Sequence, residues 1–320
     1  MAYQRADFSV LRDTGYGIGF HWTTATVPRE GEPKPFDQAV ADFDVGAFVE
    51  QAVEAGAGHV LFTSTHSRHW MCCPNPEVDR IISGHTCERD LIGDLADGLA
   101  AAGIKLIVYY NHNIYPHTPD VEWRQAVGMD PLDAPRYFDN WCRVIGWMGE
   151  RYGEGIAAWW FDGGYHLNEL PDTPWERLTA AAKAGHPGRL VCYNPGIERH
   201  TLYTKCQDYW AGEVCRLEYI PRGPLTPSGL PWYAFLSWHA DSRKPSCGVW
   251  VMSEDNRDLD WNQPPVEAVA TCLRRFQAAG GTVTFNLLCY QDGSALDTDL
   301  AVMRQLKALT RQAAVELASQ

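Results

Sequence analysis

Asp162 is the first candidate for a catalytic group in this sequence. It follows an apolar run over residues 156–161 and precedes Gly163 and Gly164. So short an apolar run is typical of a buried parallel strand, which would carry Asp162 to its C-terminal edge. The two glycines leave the acid uncovered, and neighbouring tryptophans supply flat apolar walls that can pack against a sugar ring. Alternatively, Asp162 caps the following turn.

Polar side chains follow the other strand-like segments as well. The residues at these positions are His21, His66, His112, Asp162, Asn194, Glu213, His239 and Asn286. In a parallel barrel the C-terminal strand ends meet on one rim, so these side chains would converge. Two acids on either side of one bond are what glycoside hydrolysis requires, one acting at the anomeric carbon and the other protonating the leaving oxygen. We therefore predict a glycosidase with Asp162 and Glu213 as its catalytic residues.

The elements that would position these residues alternate along the whole chain. Strand-like segments cover residues 16–20, 59–63, 104–110, 156–161, 189–193, 207–210, 232–236 and 282–287. Helical spacing occurs over residues 44–56, 87–102, 136–152, 174–184, 265–279 and 297–318. Alternating strands and helices predict an α/β fold with right-handed crossovers, and eight strands close a single (β/α)8 TIM-like barrel. No change in composition divides the chain, so we expect one catalytic domain over residues 1–320.

The amino-acid composition limits the kinds of molecule that this protein is expected to bind. The 320 residues include 27 Lys and Arg against 40 Asp and Glu, and the net charge of -13 disfavours nucleic acid and anionic membranes. The 13 tryptophans favour a small carbohydrate or glycoside as substrate. The N-terminus has no apolar signal segment, and the ten scattered cysteines are typical of reduced thiols, so we expect a cytoplasmic protein. The oligomeric state is not predictable from these features.

An ordered set of short motifs resembles glycoside hydrolase family 29, the α-L-fucosidases. The motifs are YGIGFHW at 16–22, FDV at 43–45, GAGHV at 56–60, TSTH at 63–66, RDLI at 89–92, VYY at 108–110, WFDG at 160–163, DYWAGE at 208–213 and GGTVTFN at 280–286. The resemblance implies a retaining enzyme with Asp162 as nucleophile and Glu213 as acid/base. Because two carboxylates suffice for this reaction, we expect no cofactor or metal. It also implies that His21, His66 and Tyr110 contact the sugar.

Other residues near the strand ends complete the expected substrate site. The predicted substrate-binding set is His21, Trp22, His66, Trp70, Tyr110, His112, Asn194 and Trp238. Within it, Trp22, Trp70 or Trp238 would form an apolar patch for the methyl group of a deoxyhexose. The family's paired histidines are His66-Ser67 here, and Asn194 begins the segment where the family has an arginine. The family's C-terminal β-sandwich has no counterpart in this sequence. We therefore expect an α-L-fucoside or a stereochemically related sugar as substrate.

Three alternatives remain open at this stage. A structural zinc site could use four residues from the set His66, His69, Cys72, Cys73, His85 and Cys87, although their spacing fits no standard ligand pattern. A metal-dependent hydrolase could use His21, His66 and His112 with Asp162. The third alternative is a sugar-binding barrel without catalytic activity.

Overall fold

The computed structural model describes residues 3–66, 68–111, 120–240 and 248–318, with side chains up to residue 312. Within these ranges the strands are β1 (Gly17–Phe20), β2 (His59–Thr65), β3 (Lys105–Asn111), β4 (Ala158–Asp162), β5 (Leu190–Tyr193), β6 (Glu213–Val214), β7 (Tyr233–Leu236) and β8 (Thr282–Asn286). All pair in parallel, in the order β5-β4-β3-β2-β1-β8-β7-β6. The predicted (β/α)8 barrel is confirmed. In the described part of the chain every strand belongs to this sheet, and no second sheet forms a β-sandwich.

Helices surround the sheet. They are α1 (Ser9–Arg12), α2 (Phe36–Asp42), α3 (Val45–Ala55), α4 (Pro76–Ile81), α5 (Leu91–Ala101), α6 (Val121–Val127), α7 (Ala134–Tyr152), α8 (Gly164–Glu169), α9 (Trp175–Ala182), α10 (Val266–Ala278) and α11 (Asp297–Ala318). Several begin at an aspartate whose side chain accepts a hydrogen bond from a backbone amide of the first turn, as Asp44 does at α3 and Asp90 at α5. None of the described helices is long and apolar enough to span a bilayer.

The barrel interior and the outer layer are separate apolar clusters. The interior contains Leu61 of β2, Ile107 and Tyr109 of β3, Trp160 of β4 and Phe235 of β7. The alternate residues of each strand face outward and pack against the helices in a larger cluster. The adjacent residues of a single strand therefore lie in different environments.

The N-terminal segment fills the bottom of the barrel interior. Phe8 and Leu11 belong to the interior cluster, and Leu11 is fully buried. The buried carboxylate of Asp208 accepts hydrogen bonds from the Tyr3 hydroxyl at 3.0 Å and the Ala6 amide at 2.8 Å. Residues 3–11 are thus held against the segment that leads into β6.

No ladder of backbone hydrogen bonds joins β5 to β6, and we call this gap the β5–β6 seam. Individual backbone hydrogen bonds cross this seam instead. The Asp208 amide donates to the Val191 carbonyl near the bottom, and the Glu198 amide donates to the Glu213 carbonyl near the top, both at 2.9 Å. Residues 194–212 and 215–232, all of them described, contain no helix. The barrel is therefore closed here by loops.

Most predicted elements lie within a few residues of the observed ones, but β6 does not. The prediction placed a strand over residues 207–210, whereas the observed strand is Glu213–Val214. The predicted segment is held by individual bonds, such as that from the Trp210 amide to the Pro231 carbonyl, without a regular ladder. The short helices α1, α2, α4, α6 and α8 were not predicted, because each has fewer than two full periods of apolar spacing.

Candidate active site

A cavity of about 420 Å³ lies at the C-terminal end of the strands. Strand ends and one loop, residues 248–256, form its walls. The lining residues are His21, His66, Tyr109, Trp160, Asp162, Glu213, Phe235, Gly248, Val249, Trp250, Val251, Ser253, Asp255 and Asn256. Its volume falls in the range of small-molecule sites, which is roughly 300–1,000 Å³.

Two of the lining residues, Asp162 and Glu213, are joined by one side-chain amide. Asn194 follows β5, and its Nδ2 lies 2.8 Å from Asp162 Oδ1 and 2.8 Å from Glu213 Oε2. These two carboxylate oxygens therefore lie no further apart than twice that distance. Asn194 is itself oriented by the Gly196 amide, which donates to its Oδ1 at 2.9 Å.

The second oxygen of Asp162 accepts two further hydrogen bonds from β3. The Tyr109 hydroxyl donates to Oδ2 at 2.7 Å, and Asn111 Nδ2 donates at 3.0 Å. The Gly163 amide donates to Oδ1 at 2.8 Å, and the positive φ of 73° at Gly163 turns the chain away immediately after the acid. The carboxylate of Asp162 is thus oriented from both neighbouring strands.

This set of donors keeps Asp162 ionised. Burial by itself would raise the pKa of the Asp162 carboxyl group. The hydrogen bonds from Asn194, Tyr109 and the Gly163 amide outweigh burial, so the pKa lies below its ordinary value. Burial also raises the pKa of the Tyr109 hydroxyl, so Tyr109 is a neutral phenol that donates to the carboxylate.

Glu213 is placed by a glycine that packs directly against β7. Gly212 has a φ of 44°, and a Cβ at this position would lie 1.9 Å from the carbonyl oxygen of Tyr233. Only glycine allows so close an approach. The side chain of Glu213 then faces the cavity, where it meets Asn194, while its carbonyl accepts from the Glu198 amide across the β5–β6 seam.

The two histidines of the cavity are neutral at physiological pH. Burial and the neighbouring His66 lower the pKa of His21 to about 3, and burial also lowers the pKa of His66. Asn286 Nδ2 donates to the Trp250 carbonyl at 3.1 Å, so its Oδ1 accepts from His21 Nδ1 at 3.0 Å. His21 Nε2 is therefore unprotonated, and it has no hydrogen-bond partner among the described residues. It can accept a hydrogen bond from a hydroxyl group.

Aromatic rings form the apolar part of the cavity. The His21 ring stacks on Phe235 with centroids 5.1 Å apart, and the Trp250 ring lies 4.9 Å from that of Phe235. The Tyr109 ring stacks on Trp160 at 5.1 Å. The cavity thus combines carboxylates, a neutral imidazole acceptor and flat apolar surfaces.

The structure brings together four residues of the predicted site around this cavity and a fifth, Asn194, against its acids. The four are His21, His66, Asp162 and Glu213. It places other predicted residues elsewhere. Trp22 packs among Phe36, Phe43 and Phe62 in the outer layer, and Tyr110 donates or accepts a 2.6 Å hydrogen bond with His69 there. Trp70 lies beside His85, Trp238 packs on Phe285, and His112 lies outside the described residues.

Side-chain alternation explains these placements. In β3 the hydroxyl of Tyr109 reaches Asp162, so the next residue, Tyr110, faces the helices. The same relation holds for His21 and Trp22. Sequence analysis did not select Tyr109, Asn111 or the loop 248–256, whose glycine, serine and acids carry no strand pattern. The period of two along β3 could have identified Tyr109 once Ile107 was taken as an interior residue.

The alternative of a structural zinc site is not supported by the described residues. Among the residues that the structure describes, no group of three or more His, Cys, Asp or Glu side chains could hold a metal ion. His69 stacks on Trp123 with centroids 3.5 Å apart, and His85 Nε2 lies 3.6 Å from Asp120 Oδ1. Cys72, Cys73 and Cys87 are free thiols. These side chains instead pack the loops that precede α5 and α6.

The protein is a (β/α)8 barrel whose C-terminal cavity contains a pair of carboxylates. The sequence model of the alpha-L-fucosidase family matches residues 16–213, from the start of β1 to Glu213. The match covers more than half of the chain, so the protein belongs to the alpha-L-fucosidase family and is a glycoside hydrolase. Comparison with curated protein sequences finds no match.

Solved structures of α-L-fucosidases share the fold. An enzyme from Lactobacillus casei in complex with its α-L-fucose product has 18% identity and a TM-score of 0.67, covering 96% of this chain and 99% of that one. Isoenzyme 1 from Paenibacillus thiaminolyticus has 20% identity and a TM-score of 0.68, with 94% and 74% coverage. A trapped covalent intermediate of a Bacteroides thetaiotaomicron enzyme has 15% identity and a TM-score of 0.68, with 97% and 76% coverage.

Proposed function

We propose that the protein is a retaining exo-glycosidase that hydrolyses α-L-fucosides or glycosides of a stereochemically related sugar. Asp162 is its nucleophile and Glu213 its acid/base. The observation that carries the proposal is the single Asn194 nitrogen, which lies 2.8 Å from an oxygen of each acid. Retaining enzymes hold their carboxyl groups about 5–5.5 Å apart, whereas inverting enzymes need about 6.5–9.5 Å for an intervening water. The spacing here favours retention.

The first step forms a covalent intermediate. An Asp162 oxygen attacks the anomeric carbon, the bond to the leaving oxygen breaks, and Glu213 gives its proton to that oxygen. The low pKa of Asp162 keeps the nucleophile charged. Tyr109, Asn111 and Asn194 keep it aligned, so little reorganisation is needed when the bond forms.

The second step reverses the proton transfer. Glu213, now ionised, takes a proton from water, and the resulting hydroxide adds to the anomeric carbon as the bond to Asp162 breaks. The sugar leaves with a hydroxyl group in the original configuration. Both carboxyl groups return to their starting protonation states, so no co-reactant other than water is consumed.

The other cavity residues bind the sugar. His21 Nε2 accepts a hydrogen bond from a sugar hydroxyl group. The His66 ring lies beside the His21 ring, with the two centroids 5.4 Å apart. The rings of Phe235, Trp250 and Trp160 supply the apolar patch that the methyl group of a deoxyhexose requires. The solved relatives support this assignment, because one binds α-L-fucose as product and another forms a covalent intermediate with a 2-fluoro-fucosyl fluoride.

Product stereochemistry tests the proposal. We expect NMR of the first product formed from an aryl α-L-fucoside, recorded before mutarotation, to show the α anomer. A first-formed β anomer would reject the retaining mechanism. If fucosides are not cleaved, the same measurement on aryl galactosides, arabinosides and rhamnosides identifies the sugar.

The nucleophile is tested by Asp162→Gly. We expect kcat to fall by several orders of magnitude, because no covalent intermediate can form. Sodium azide, which fits the space left by the carboxylate, should restore turnover and give a glycosyl azide of inverted configuration. The wild-type enzyme with azide is the control, and near-normal activity of Asp162→Gly without azide would contradict the assignment.

A further inference from the structure

Glu198 is a non-glycine residue with a left-handed backbone, at a φ of 54°. Its carboxylate forms a bidentate ion pair with the Arg216 guanidinium, in which Nε donates to Oε1 at 2.7 Å and Nη2 donates to Oε2 at 2.5 Å. Its amide donates to the Glu213 carbonyl at 2.9 Å. We call this arrangement the Glu198–Arg216 clasp. Arg216 lies just beyond β6. Glu198 therefore binds both ends of the segment from Glu213 to Arg216, through its amide at one end and its carboxylate at the other.

The end of β6 needs such a support. The strand has two residues and pairs only with β7 on one side. The Gly212 carbonyl accepts from the Phe235 amide of β7, and the Val214 carbonyl accepts from the Ser237 amide just after β7, so the Glu213 carbonyl points across the β5–β6 seam. There the Glu198 amide takes the place of a neighbouring strand. Asn194, four residues earlier in the same loop, holds the Glu213 side chain.

The energetics of the pair do not account for the unusual backbone. The side chains of Arg216 and Glu198 are 56% and 23% exposed, and exposed ion pairs contribute little to stability. A left-handed conformation at a glutamate is itself unfavourable, and such residues persist mainly where the surrounding structure imposes them, often at functional sites. The ion pair therefore acts together with the Glu198 amide bond to the Glu213 carbonyl, and the two fix the loop in this conformation.

We propose that Glu198 and Arg216 are positioning residues, whose clasp across the β5–β6 seam holds Glu213 in the place from which it protonates the leaving oxygen. This inference rests on the proposed function, in which Glu213 is the acid/base. Neither Glu198 nor Arg216 lines the cavity. They act through Glu213, and a loosened clasp misplaces the proton donor without changing the sugar site.

The test compares two substrates that differ in their need for a proton, phenyl and 4-nitrophenyl α-L-fucoside. For Glu198→Gln and Arg216→Met we expect kcat on the phenyl substrate to fall about tenfold or more, and on the 4-nitrophenyl substrate less than about threefold, because good leaving groups need little acid assistance. KM should stay within about twofold on both, since the sugar contacts are unchanged. Glu54→Gln, which breaks the exposed Glu54–Arg304 pair, is the control and should change neither rate.

A second variant separates positioning from folding. Glu198→Gly suits a positive φ, so its Tm should equal or exceed that of the wild type while the loss on the phenyl substrate persists. Asp172→Gly, at a second non-glycine residue with positive φ, should keep full activity. A parallel fall in Tm and in both rates for Glu198→Gly would assign Glu198 a purely structural role and overturn the proposal.

Glu213→Gln measured beside these variants keeps the two proposals distinguishable. If Glu213→Gln shows the leaving-group difference and Glu198→Gln does not, the clasp proposal fails and the proposed function stands. If Glu213→Gln lowers kcat equally on both substrates, Glu213 is not the acid/base, and both proposals fail. The clasp is supported when the two variants share the same pattern and Glu198→Gln is the milder.

Discussion

At the scale of single residues, Asn194 determines the relation between the two acids. It donates to both, and its hydrogen bond is the largest of the effects that lower the pKa of Asp162. For Asn194→Ala we expect that pKa to rise. Since the nucleophile must be ionised, the acidic limb of the kcat/KM profile should then move to higher pH.

Asn194 also aligns the two acids, and this role has its own measure. Hydrogen bonds to charged groups contribute about 1.5–3 kcal/mol, so activity on an activated aryl glycoside at neutral pH, where Asp162 stays ionised, should fall by about 10- to 100-fold through lost alignment. A pH series of kcat/KM on the wild type and Asn194→Ala measures the shift. An acidic limb that stays in place would show that Asn194 does not control the ionisation of Asp162.

Tyr109 and Tyr110 provide a matched pair of adjacent residues. Tyr109→Phe removes the 2.7 Å hydrogen bond to Asp162, and we expect kcat to fall about tenfold with little change in Tm. Tyr110→Phe removes the hydrogen bond to His69 in the outer layer, and we expect a loss of about 1 kcal/mol in the free energy of unfolding with unchanged kcat. The opposite pattern in steady-state kinetics and thermal melts would contradict the placement of the two rings.

This pair also marks the limit of prediction for single residues. The sequence of β3 indicates a strand, but two adjacent tyrosines leave its inward face undefined until another interior residue, such as Ile107, is known. His21 and Trp22 present the same ambiguity. The acids were predictable because each stands alone after an apolar run, where only one side chain can reach the rim.

At the scale of elements, the position of β6 depends on Gly212. For Gly212→Ala we expect a collision with the Tyr233 carbonyl that displaces β6, lowering both Tm and kcat, with a stability loss above about 2 kcal/mol. Gly223→Ala is the control, because Gly223 also has a positive φ but its Cβ would meet nothing within 4 Å. Equal effects of the two substitutions would attribute the loss to φ alone.

The predictability of the elements depended on their length and regularity. The long helices α7, α10 and α11 show many apolar periods, and the strands β3 and β4 contain continuous apolar runs, so local pattern was sufficient. The strand β6 has two residues and is held by single bonds to distant segments. Its register is a tertiary property, which no local pattern contains.

At the scale of the whole molecule, the N-terminal segment contributes to the barrel interior. Leu11→Ala should reduce the free energy of unfolding by about 2–5 kcal/mol, because Leu11 is fully buried in that interior. Val10→Ala, at the adjacent residue with 39% exposure, should change it by less than about 0.5 kcal/mol. Chemical denaturation of the two variants measures the difference, and similar losses would show that residues 3–11 pack more loosely than described.

The barrel itself was predictable because eight alternating units allow few other arrangements. The seam and the filled bottom were not, because both depend on contacts between residues far apart in sequence. Asp208 receives Tyr3 and Ala6 across about two hundred positions. The pattern of apolar residues within a short stretch of sequence contains no information about such distant pairs.

The attachment of the N-terminal segment to Asp208 has a consequence for synthesis on the ribosome. Residues 3–11 are made about two hundred residues before Asp208, which follows them by roughly 10–40 s at typical elongation rates of about 5–20 residues per second. Until then Phe8 and Leu11 lack much of the interior that buries them. A nascent chain stalled before residue 208 should therefore be cleaved readily by protease near its start, and one stalled well beyond it should be resistant.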